Sequence, residues 1–117
     1  MDYIETAKKL VKAGKFYSAE RLLLSIRNAN ENTNANAHQL LGVIAAQTKR
    51  PFDAIKMFET AASVHTTDGY LQNNLGQVHR LVGNFSRAKK AFQKAAKLQA
   101  DYAEPLNFLG LLYHNEG

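Results

Sequence analysis

The stretch Leu75-Gly76-Gln77-Val78-His79-Arg80-Leu81-Val82-Gly83-Asn84-Phe85-Ser86-Arg87-Ala88-Lys89-Lys90-Ala91-Phe92 decides the fold. Gly83-Asn84 reads as a helix stop followed by an N-cap, because glycine reaches the left-handed conformation without strain and an Asn side chain accepts from the first turn of the next helix. Beyond it, Phe85, Ala88, Phe92, Ala95 and Ala96 step by three and four, so they share one face of a helix. The stretch is therefore a helix–turn–helix. Its marks recur. Leu41-Gly42, Leu75-Gly76 and Leu109-Gly110 lie 34 residues apart, Ala54, Phe58, Ala61 and Ala62 return 34 later as Ala88, Phe92, Ala95 and Ala96, and Gly83 returns as Gly117. Toward the N-terminus the spacing is 35, since Gly14, Ala19 and Leu23 precede Lys49, Ala54 and Phe58; an insertion in the Asn-rich stretch 28–36 accounts for it. A fixed period of this size marks stacked supersecondary units. The 117 residues divide as 1-34, 35-68, 69-102 and a half-repeat 103-117 within one domain, 1-117.

Two helices per repeat predict seven, at 2-13, 16-29, 36-48, 51-63, 69-82, 85-98 and 103-115. Thr67-Asp68 caps the fifth, and Pro51 and Pro105 suit first-turn positions, where a missing N–H costs nothing. Gly42, Gly76 and Gly110 sit inside helices, where Gly costs about 0.5 to 1 kcal/mol against Ala. Its repetition implies a close helix contact, with Ala19, Ala54 and Ala88 as the small residues expected opposite.

Composition narrows the function. With 45% apolar and 21% charged residues the chain is an ordinary globular one. No Cys means no disulfide frame, thiol nucleophile or thiolate metal site. Met1-Asp2-Tyr3-Ile4-Glu5 followed by Lys8, Lys9 and Lys12 leaves no apolar core for a secretory leader, and no run is long enough to span a membrane. A soluble, cytoplasmic protein without membrane attachment is the expectation. Fifteen Lys and Arg against ten Asp and Glu give a net charge of +5.

These residues carry a resemblance across essentially the whole chain to tetratricopeptide repeat proteins. That pattern places Leu-Gly in the first helix, an aromatic after it, Gly at the turn, and small Ala, Phe and Ala in the second helix. Repeat three supplies Leu75-Gly76, His79, Gly83, Phe85, Ala88, Phe92 and Ala95; the half-repeat supplies Leu109-Gly110, Tyr113 and Gly117. Departures are His38, Gln72 and Leu106 for the usual early Trp, Ala45 for the aromatic, and Thr66 and Ala100 for the terminal Pro. The resemblance implies an all-α, right-handed α-solenoid whose first helices line a concave groove for a protein or peptide. The groove positions are then Lys8 and Lys12; Gln39, Val43 and Gln47; Tyr70, Asn73, Asn74, Gln77 and Arg80; and Asn107, Phe108 and Leu111. Carboxamides both donate and accept, so Gln39, Asn73, Asn74, Gln77 and Asn107 suit a peptide backbone of any sequence.

Two narrower family roles are open to a check on residues. Chaperone-tail binders clamp a carboxylate with Lys, Arg and Asn, but Ile4, Lys8, Leu40, Glu104 and Phe108 hold those slots here, which disfavours that role. The stretches 38–47 and 70–76 resemble the N-terminal repeats of bacterial sulfotransferases and of O-linked N-acetylglucosamine transferase-like proteins. Of that family's Asn ladder only Asn74 is present, with Leu40 and Phe108 on the neighbouring rungs. A recognition region of a larger transferase is the alternative function, its chemistry lying outside these residues.

No catalytic or metal-ligating spacing is visible. His38, His65, His79 and His114 match no ligand motif, and His79 fills the repeat's aromatic slot. No enzyme activity, cofactor or metal is expected. Asn84-Phe85-Ser86 matches a glycosylation sequon, and Asn84 reads as a cap. Arg87, Lys90, Lys94 and Lys97 form a basic stripe on the sixth helix, read as a solvated face with acidic-partner attraction as the sharper option. Nucleic acid is disfavoured despite a pI of 9.6, because equivalent positions change from repeat to repeat. In the half-repeat, Leu106, Leu109, Leu112 and Tyr113 are expected to present an apolar face through which two copies associate.

Overall fold

The computed structural model describes residues 2–26, 29–99 and 104–116, apart from the side chains of 113–116. It is all-α. The helices are α1 (Tyr3–Lys12), α2 (Phe16–Leu24), α3 (Glu31–Gln47), α4 (Pro51–Ala62), α5 (Gly69–Leu81), α6 (Phe85–Leu98) and α7 (Glu104–Glu116), and no strand occurs among the described residues. Contacts divide the chain into two compact units, Met1–His65 and Thr66–Gly117.

Two boundaries differ from the periodicity. Helix α2 ends at Leu24, and α3 starts at Glu31, five residues before the expected 36. The cause is Asn30, whose Oδ1 accepts from the Thr33 N–H at 2.8 Å and so caps a helix within the Asn-rich stretch. Part of the stretch expected to be an insertion is the first turns of a 17-residue helix, in which Ala35 and Ala37 are buried.

The hairpin turns share one geometry. Gly14, Lys49 and Gly83 have φ of 76°, 60° and 83°. The following N–H donates back five residues in each: Lys15 to Leu10 O at 2.9 Å, Arg50 to Ala45 O at 2.8 Å, Asn84 to His79 O at 2.8 Å. This Schellman-type closure satisfies carbonyls that the helix end leaves open. Lys49 is the one non-glycine among the described residues to take positive φ.

In the first unit, Ala7, Ala19, Leu23, Ala37, Leu41 and Ile44 form one buried cluster. Helix α4 lies on α3 with Phe58 over Gly42: a Cβ there would stand 2.5 Å from Phe58 Cε1. Across α2 and α4, the Arg50 guanidinium donates to Glu20 Oε2 at 2.6 Å, a bond that raises the arginine pKa.

The second unit repeats the seat. A Cβ on Gly76 would stand 2.5 Å from Phe92 Cε1. The atoms nearest each glycine are those of the phenylalanine ring of the next helix, and the small residues Ala54 and Ala88 of those helices are fully buried. In the first hairpin the glycine position is Ala7 and the Phe position Leu23, a larger residue paired with a smaller one in the same cluster. Beyond α6, Ala88 and Phe92 pack with Leu109 and Leu112 of α7, and the Phe92 and Phe108 rings stack with centroids 5.1 Å apart. At Gly110 nothing lies within 4 Å of a Cβ position.

Candidate functional site

Helix α5 buries Leu71, Leu75, Gly76, Val78 and His79, so its remaining face is fixed by helical geometry. That face is the stripe Tyr70, Asn74, Gln77 and Leu81. Tyr70 and Leu81 are exposed, Asn74 and Gln77 half-buried. Helix α7 adds a second stripe of Glu104, Asn107, Phe108 and Leu111, and the two are joined chemically. Glu104 Oε1 accepts from Gln77 Nε2 at 3.0 Å and from Asn73 Nδ2 at 3.2 Å. The Arg80 guanidinium carbon lies 5.2 Å from the centre of the Phe108 ring, within cation–π range. The face is therefore an amide and carboxylate cluster beside an arginine held on an aromatic ring.

The anticipated groove residues are distributed unevenly. In the second unit Asn74, Gln77, Arg80 and Asn107 lie on this face with solvent access. Asn73 does not, being fully buried with its amide committed to Glu104, so it ties α5 to α7 and is closed to a ligand. In the first unit, Lys8 is exposed and pairs with Glu5 at 3.2 Å, Lys12 is exposed, and Gln39 is half-buried. Leu81 is not among the expected groove positions, and Glu104 enters the sequence reading only as a departure from the carboxylate-clamp pattern. The Glu104 bonds join residues 27 and 31 positions apart, a relation no local pattern reports.

The expected self-association face is also altered. Leu109 and Leu112 are buried against α6, because α7 rolls its apolar side onto Phe92. Leu106 remains 55% exposed, and the Tyr113 side chain lies outside the described residues, as does that of His114.

The basic stripe Arg87, Lys90, Lys94 and Lys97 is exposed. Lys90, Lys94 and Lys97 border an open groove of about 700 Å³ between α6 and α7, with Leu106 and Leu109 among its lining. His38 Nδ1 donates to Asn34 O at 2.8 Å, and His65 Nε2 to Asn36 Oδ1 at 2.9 Å. Among the described residues there is no group of three metal-ligating side chains, and no helix is long and apolar enough to cross a membrane.

Comparison with known proteins bears on the helical fold. Residues 69–102 match the family model of the tetratricopeptide repeat. A crystal structure of MamA is 27% identical, with a TM-score of 0.84 over 95% of this chain; the chain spans 64% of the length of that structure. A second MamA structure, from AMB-1, is 16% identical with a TM-score of 0.67, covering 98% of this chain and 81% of its own, which shows likeness of fold. No curated protein matches. Residues 69–102 thus match the tetratricopeptide repeat, and over nearly the whole chain the helical fold is like that of MamA.

Proposed function

We propose that the chain is a protein-binding module without catalysis of its own, and that in its second unit the α5/α7 face takes an extended peptide. The observation that carries this reading is the mixed stripe of Tyr70, Asn74, Gln77 and Leu81 beside Glu104, Asn107 and Leu111. It combines exposed apolar contacts with carboxamides able to meet a peptide backbone. The tetratricopeptide match over 69–102 and the MamA-like fold support it. The transferase alternative rests on the resemblance of stretches 38–47 and 70–76, and of the Asn ladder it would need only Asn74 is present, with Leu40 and Phe108 on the neighbouring rungs.

The test is retention of a protein partner by the immobilised chain, followed by titration against the Asn74→Ala/Arg80→Ala double variant. Loss of two bonds, one of them from a charged group, weakens binding by about 2 to 4.5 kcal/mol. Unchanged affinity places the partner on another surface.

A further inference from the structure

Arg80 is a cation held in place without an anion. Its guanidinium carbon lies 5.2 Å from the centre of the Phe108 ring, and its Nε is buried with no hydrogen-bond acceptor among the described residues. No described carboxylate pairs with it, whereas Arg50 in the first unit donates to Glu20 at 2.6 Å. The side chain is half-buried, and with Nε closed to water its terminal nitrogens are the donors left for a partner. A ring against the guanidinium and one donor shut off from solvent leave a partly desolvated charge. Such a charge gains more from an anion than a fully hydrated one does.

The neighbours restrict which anion fits. Gln77 stands one turn before Arg80 on the same side of α5. It gives its Nε2 to Glu104 Oε1 at 3.0 Å, so its own carbonyl oxygen is the group left to accept a backbone N–H. Glu104 also brings a negative charge into the cluster, and Arg80 is the one cation beside Tyr70, Asn74, Gln77, Leu81 and Asn107. A doubly charged phosphate would meet one cation next to one carboxylate. A single carboxylate is matched by Arg80 in charge and in the paired geometry of its oxygens. The net charge of +5 favours the approach of an acidic partner.

We infer that the peptide taken by the α5/α7 face carries an Asp or Glu side chain whose carboxylate pairs with the terminal nitrogens of Arg80, while Gln77 Oε1 accepts from the adjoining backbone. The inference rests on the reading of that face as a peptide seat and adds the chemistry of its ligand.

The probe is a library of peptides with eight random positions between Gly-Ser flanks, anchored to beads through the C-terminus so that no terminal carboxylate is free. It is screened with the labelled 117-residue chain. Recovered peptides are resynthesised with amidated ends and titrated by fluorescence anisotropy against the parent, Asn74→Ala, Arg80→Gln and Arg80→Glu. One position is expected to be Asp or Glu. Affinity is expected to fall roughly tenfold in Arg80→Gln, the loss of one charged hydrogen bond, and further in Arg80→Glu. Replacing the peptide's acid by Lys should restore binding to Arg80→Glu. If Arg80→Glu melts lower than the parent, Arg80→Gln carries the test: its loss and the loss from neutralising the peptide's acid to the amide should not add.

Peptides that weaken in Asn74→Ala yet show no acidic position, or that bind Arg80→Gln as tightly as the parent, overturn the inference and leave the peptide face standing. A gain above tenfold on replacing the acid by phosphoserine assigns Arg80 to a phosphate and overturns it too. Recovery of no peptide, or of peptides indifferent to both Asn74→Ala and Arg80→Gln, overturns the face and the inference with it.

Discussion

The ring of Phe92 occupies the space that a side chain on Gly76 would need, at 2.5 Å from the Cβ position. Phe92 is itself fully buried. The ring cannot retreat freely, because its other neighbours include Phe108, Leu109 and Leu112. Gly76→Leu therefore destabilises the second unit by about 1 to 3 kcal/mol, as overpacking does. The matched change on α7, Gly110→Ala, meets open space and gains about 0.5 to 1 kcal/mol of helix propensity. Thermal denaturation of the two variants should move in opposite directions; movement in the same direction refutes the Gly–Phe contact.

Lys49 holds φ at 60° in a turn where Gly14 and Gly83 take the same conformation without a Cβ. A left-handed non-glycine residue costs about 1 kcal/mol or more. Lys49→Gly should raise the denaturation midpoint by that order while leaving helix content unchanged by circular dichroism. A fall in stability would show that the turn is held by something other than backbone conformation.

Glu104 gathers two amide donors of α5 onto one carboxylate oxygen. Glu104→Ala removes an acceptor from the buried Asn73 amide, a loss of about 1 to 3 kcal/mol. The effect should be local. Hydrogen exchange is expected to quicken along α7 and the facing side of α5, while α1 to α4 keep their protection. Uniform loss of protection over all seven helices would contradict the placement of this bond.

The periodic residues revealed the fold because each sits where the packing has no alternative: Gly42 and Gly76 under rings, Gly14 and Gly83 in left-handed turns, Asp68 and Asn84 at caps. The extra length of α3 was less visible, since Asn favours caps and loops and only its position shows that Asn30 starts a helix. The candidate face was legible as a stripe of polar residues on α5. Its chemistry was not, because Asn73 and Asn74 are adjacent in sequence yet about 100° apart round the helix, the first buried with its amide on Glu104 and the second half-buried. Leu109 and Leu112 look like surface apolar residues in α7 alone; only the docking of Phe108 on Phe92 buries them.

The α5–α6 hairpin is fastened at both ends. At one end Asn84 N–H reaches His79 O, and at the other the Gln99 carboxamide accepts the Tyr70 N–H at 3.1 Å, with Gly69 leaving room for it. Between these fastenings, one inserted residue would rotate everything after it by about 100°. Phe92 would leave Gly76, and Gln99 would leave Tyr70, in a single step. This hairpin can therefore diverge by substitution but not by length, whereas the one place where the repeat gains a residue falls between the first and second hairpins. Insertions and deletions in relatives of this chain should collect there and be purged from 69 to 99.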